Sequence, residues 1–119
     1  MPIDNTTKKT KIADNFSLCQ TLSSKFIGLR FSKRNHKPLI LEFPSENKIS
    51  LDMFFVFYPI DVIFLNKNKI VVDTKENFMP FAFYTSKNSA SYAVEIPKGN
   101  IKKSKTSLGD KIKFWTIYL

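Results

Sequence analysis

The chain is short of the residues that catalytic and cofactor-binding motifs use. Three glycines in 119 residues cannot build a Gly-rich phosphate cradle or a dinucleotide fingerprint. One cysteine, Cys19, excludes an intrachain disulfide and fits a reducing compartment. One histidine, His36, beside that one cysteine cannot make a Cys/His metal tetrad. The ten acidic residues are scattered without calcium-loop spacing, so neither metal nor cofactor is expected. Only Arg30 and Arg34 of the 19 cationic residues are arginine, and lysine lacks the planar fork that reads bases and phosphates bidentately. A long hydrophobic run is also missing. The most apolar stretch, LDMFFVFYPIDVIFL at 51–65, falls short of the ~20 residues a spanning helix needs. It also holds Asp52, Pro59 and Asp61, which are costly in hydrocarbon. The N-terminal MPIDNTTKKTKIADNF has lysines but no apolar segment after them, so no secretory leader is expected and the chain is read as cytoplasmic.

What is present is phenylalanine, 12 residues of it, which favours pleated, half-buried surfaces. Hydrophobic residues make up 43%, enough for a real core in one domain over 1–119, with 4–9 loosely ordered. The apolar run reads as two strands, about 52–57 and 60–66, joined by a bend at Tyr58-Pro59. Both faces of each are apolar, which requires a sheet covered on both sides. KIADNFSLC (11–19), LILEF (39–43), SYAVEIP (91–97) and DKIKFWTIYL (110–119) read as further strands. SENK (45–48) is a turn after Pro44, and 76–91 an irregular strand followed by a loop. FLNKNKIVVD (64–73) reads as a hairpin centred on Lys67-Asn68, and Gly99 and Gly109-Asp110 are turn signals. The one helix candidate lies near residues 21–30, where Leu22, Phe26 and Leu29 fall at helical spacing after Thr21. Seven or eight short strands with one helix predict a mainly β (α+β) domain, compact, antiparallel or mixed and β-barrel-like.

FIGLRF, LILEF, MFFVFYPIDVIFLNKNKIV, YAVEIPKGNI and GDKI, in this order and spacing, resemble the family known as domain of unknown function 192. The resemblance covers residues 11–113 and is closer to archaeal members than to secreted bacterial ones. It implies a compact, mostly β domain of about one hundred residues with no established biochemical activity. Many members carry His or Trp near the position of Asp52; this chain departs from them there.

Asp61, a carboxylate in an apolar run just past a proline bend, is the sharpest candidate for a desolvated acid or base. The architectural alternative, a carboxylate accepting backbone N–H bonds at the bend, is favoured. Asp52 and Asp61 flank the Phe-rich segment as a conceivable carboxylate pair, although nine residues across a bend fix no distance. Cys19 with His36 would make a thiol nucleophile pair; a small core cysteine is the preferred reading. No catalytic residue is assigned. The preferred function is a non-catalytic small-ligand or accessory module with an aromatic-walled, carbohydrate-type pocket. Its candidate residues are Asp52, Met53, Asp61, Phe81, Phe83 and Tyr84. The formal charge of +9 is spread along the chain and also permits an acidic partner. The alternative is therefore nucleic-acid binding through Lys33, Arg34, Lys37, Lys102, Lys103 and Lys105. A monomer or weak dimer is expected.

Overall fold

The computed structural model describes residues 1–21, 28–34 and 37–115. Its strands are β1 (Ile3–Asn5), β2 (Thr10–Ala13), β3 (Ser17–Cys19), β4 (Leu39–Asn47) and β5 (Ser50–Asp52). β6 (Ile60–Leu65), β7 (Val71–Phe78), β8 (Phe83–Thr85), β9 (Ala90–Pro97) and β10 (Ile112–Lys113) follow, with a helix, α1 (Asn100–Ser104), after β9. The centre is a five-stranded sheet in the order β3-β4-β9-β6-β7. β3 and β4 run parallel and the other neighbours antiparallel. A second sheet has the order β10-β1-β2, and β5 pairs with β8. The mainly β class holds, but the sheets do not close into a barrel.

The central sheet separates two cores. All six residues of β6 are buried because both faces of that strand are covered. Val62 and Phe64 join Leu39, Leu41 and Ala93 under β5, β8 and the loop after β5. Ile63 and Leu65 join Ile40, Val94 and Ile96 on the other face, covered by Ile3, Ile12, Ile101 and Ile112. The β10-β1-β2 sheet is fastened by Asp110, which accepts from the Asn5 amide at 2.9 Å and from Lys8 Nζ at 2.7 Å. β1 lies between β2 and β10, so the first and last strands described are neighbours.

Several local expectations change. Residues 53–58 are not a strand. The backbone turns after Asp52, with Val56 N–H donating to Met53 O at 3.2 Å. Met53, Val56 and Tyr58 go inward while Phe54, Phe55 and Phe57 stay exposed. A strand here would need both faces covered, and the inward spacing is that of a turn. The 64–73 hairpin is present, but its turn is organised by Asn66. Its Oδ1 accepts from the N–H groups of Asn68 and Ile70 at 2.9 and 3.0 Å, an Asx-type turn. Lys69 takes the left-handed position, at φ 62°.

β4 continues through Pro44 to Asn47, and 11–19 divides into β2 and β3. After Gly99, read from sequence as a turn signal, the chain forms α1. It starts after Gly99 at φ 94° and buries Ile101 and Ser104. The helix expected near 21–30 falls at 22–27 outside the described residues, as do His36 and residues 116–119 of the last expected strand.

Candidate functional site

The face of the central sheet beneath β5 holds a cleft of about 290 Å³. Leu41, Met53 and Val56 give it apolar walls, and Arg30, Asp52 and Glu95 give it charge. Each of the three is placed by a different element. Asp52 ends β5 and accepts from the Phe54 N–H at 3.0 Å. Arg30 follows the turn at Gly28 and donates from Nη2 to Asp52 Oδ1 at 2.6 Å. Glu95 lies in the middle of β9 with Leu39 on one neighbouring strand and Val62 on the other.

Glu95 is buried, 7% exposed, and its carboxyl opens on the cleft without a hydrogen-bond donor among the described residues. Burial pushes its pKa up to about 7; the Arg30 charge pulls it down and the Asp52 charge pushes it further up. Tyr58, whose hydroxyl lies 2.5 Å from Ser32 Oγ, is also raised, first by burial. The cleft thus offers one guanidinium donor, one ionised acceptor and one carboxyl that gains or loses its proton near neutrality.

The candidates from sequence separate. Asp52 and Met53 line the cleft. Phe81 and Phe83 stand exposed among other rings beyond it. Tyr84 is half-buried and donates to Asp73 Oδ2 at 2.6 Å; burial first, then that hydrogen bond, push its pKa up to about 12. Asp61 is 1% exposed and shares the other face of the sheet with Ile63 and Leu65. It accepts from the N–H groups of Asn77 and Gly99, each at 3.0 Å, and of Ile101 at 3.1 Å. That carboxylate joins the end of β7 to the start of α1. Cys19 is buried on β3.

Of the lysines and arginines, Arg34 and Lys37 line a separate open groove of about 590 Å³ with Lys11. Lys33 is exposed just before it in the chain, and Lys102, Lys103 and Lys105 are exposed at α1. Sequence reading missed Arg30 and Glu95. The signal for Glu95 was an acid between Val94 and Ile96 in a strand whose two faces are both buried. Among the described residues no helix is long and apolar enough to cross a membrane.

The likeness to known proteins extends over nearly all of this architecture. A UPF0127 protein of Thermococcus sibiricus is 37% identical over 108 residues, covering 89% of this chain and 66% of its own length, just under two thirds. A UPF0127 protein of Pyrococcus furiosus is 36% identical over 112 residues, covering 92% of this chain and 95% of its own. A solved Sinorhizobium meliloti structure, provisionally called a transcription regulator, superposes with a TM-score of 0.83 over 94% of this chain and 89% of its own. At 19% identity it shows the fold alone. The profile of DUF192, described as "Uncharacterized ACR", matches residues 3–114, and the chain belongs to that family.

Proposed function

We propose that the protein is a non-catalytic binding module whose cleft takes a small polyhydroxylated molecule, with an amine-bearing sugar as the preferred class. The observation that carries this is Glu95, an acid set mid-sheet between Leu39 and Val62 that lines the cleft with Arg30 and Asp52. Arg30 donates to a hydroxyl, while Asp52 and Glu95 accept from hydroxyls or an ammonium. Leu41, Met53 and Val56 pack against the ring carbons. About 290 Å³ suits one ring, near the lower end of small-molecule sites. With Glu95 ionised the three charges sum to −1, which favours an amine over an acid. The single buried cysteine fits a cytoplasmic setting for this module.

Thermal unfolding with glucosamine and with glucose tests the reading, since a ligand that binds the folded state raises Tm. Glucosamine is expected to raise Tm more than glucose, and more above neutral pH, where Glu95 is charged. The Glu95→Gln protein is expected to lose that preference. No shift with either sugar, or the same shift in Glu95→Gln, overturns the proposal.

A second reading is nucleic-acid binding, favoured by the groove that gathers Lys11, Arg34 and Lys37. Among the described residues that line it there is no aromatic ring, so it would track a phosphate backbone and would not stack bases. Titration of single- and double-stranded oligonucleotides against salt decides it: steep weakening with salt supports the groove, and no binding at low salt removes it.

A further inference from the structure

We propose that the face built from residues 28–34, 53–57 and 79–83 docks the protein onto an anionic lipid bilayer. Six phenylalanines are exposed there: Phe31, Phe54, Phe55, Phe57, Phe81 and Phe83. They form one continuous set of rings. Phe31 stacks on Phe55 with centroids 5.0 Å apart, Phe54 meets Phe83 edge-on at 4.9 Å, and Phe55 and Phe57 both reach Phe81, at 6.0 and 5.7 Å. Met79, 51% exposed, extends the patch. A contiguous apolar surface of this size on a folded domain marks an interaction site.

Three details identify the partner as lipid. The first is composition. The stretches MFFVF at 53–57 and MPFAF at 79–83 contain no polar side chain, which suits entry into the apolar part of a bilayer interface.

The second is the backbone. Lipid requires that peptide groups be satisfied internally, and these loops bond to one another. Phe31 N–H donates to Phe55 O and Phe81 N–H to Met53 O, each at 2.8 Å, and Met53 N–H donates to Ala82 O at 2.9 Å. Phe31, Phe55 and Phe81 hold left-handed φ of 60°, 60° and 62°, a conformation that bulky side chains avoid. The interlocking bonds hold these strained residues in place, and their rings stay in solvent.

The third is charge. Arg30 is taken up by Asp52 at 2.6 Å, which leaves Lys33 and Arg34, both exposed and close after Phe31 in the chain, the latter also bordering the groove with Lys11. That local surplus sits on a chain of net charge +9. A second copy would bring +9 against +9, whereas an anionic headgroup layer attracts the same residues. Exposed rings on a basic chain, with cationic residues close by, suit a protein that lies in the bilayer interface without spanning it. This surface adjoins the cleft, whose lining includes Arg30, Met53 and Val56, but it is the exposed rings, not the cleft lining, that meet the bilayer.

The full chain is mixed with vesicles of phosphatidylcholine alone and of phosphatidylcholine with phosphatidylglycerol, and the pelleted fraction is measured. Pelleting is expected with the anionic vesicles, weakening as salt rises, and much less with the neutral ones. Phe57 and Phe83 are 60% and 70% exposed, so the F57S/F83S protein is expected to keep its circular dichroism spectrum. It should partition roughly tenfold or more weakly, and K33E/R34E should weaken partition to anionic vesicles only. The proposal is overturned by absence of pelleting at low salt or by undiminished pelleting of F57S/F83S. It is also overturned by dimerisation in sedimentation velocity that F57S/F83S abolishes without any vesicle binding, which would assign the face to a second copy.

Discussion

Arg30 meets Asp52 at 2.6 Å across the mouth of the cleft, and this one contact joins the segment after Gly28 to the end of β5. The two side chains are 17% and 30% exposed, more sheltered than a surface pair but still wetted. A double-mutant cycle with Arg30→Ala and Asp52→Asn is expected to give a coupling of about 1 kcal/mol in urea unfolding. A coupling indistinguishable from zero would mean that the pair does not tie the loop down in solution.

Stability should also depend on pH through Glu95. Its folded-state pKa is raised from 4.5 to about 7, so the folded protein holds this proton more tightly than the unfolded chain does. The stability this gives is complete below the unfolded value and drains away as pH rises toward 7. Glu95→Gln has no such loss. The stability of the variant relative to the parent should therefore climb by up to ~3 kcal/mol between acid and mildly alkaline pH. Urea midpoints measured across that window check this; a difference that stays flat with pH would mean Glu95 is solvated.

Asp61 is expected to behave differently. Its two oxygens take three backbone N–H groups on the sheet face away from the cleft. An asparagine there has one acceptor oxygen and places an amide N–H₂ against donors. Asp61→Asn should cost about 2–4 kcal/mol, since buried donors lose a charged acceptor. Any glucosamine-induced rise in Tm of the variant should match that of the parent. A fully stable Asp61→Asn protein that no longer responds to the sugar would make Asp61 a ligand contact after all.

The hydrophobic pattern marked most of the frame. Continuous apolar residues at 60–65, the alternation at 91–97 and the Asn-rich turn between β6 and β7 all carry their structure locally, as short-range spacing and turn chemistry do. The segment 53–58 does not. MFFVF has the composition of a strand, but no strand among the described residues pairs with it, so its backbone bonds to other loops and three of its rings stay outside. That is decided by topology, which periodicity does not contain.

The site was half legible for a related reason. Asp52 and Met53 stand out as a polar and an apolar residue side by side at a strand end. Glu95 becomes notable only when its cross-strand neighbours prove to be Leu39 and Val62. Arg30 acquires meaning only from the pairing with Asp52. Tyr84, chosen as a pocket wall, is instead held by Asp73, a partner eleven residues away across a loop.

The position of β1 between β2 and β10 has a consequence for the order of assembly. Ile63 and Leu65 are made well before part of their cover, Ile112 and Phe114, emerges. Until then that side of the central sheet is only partly covered, by Ile3, Ile12 and Phe16. The Asn5–Asp110 bond, which spans 105 residues, can close only after that, and closing so long a loop is a slow step. A chain that has not yet made Asp110 therefore lacks the bond that fastens its first strand to the segment before β10.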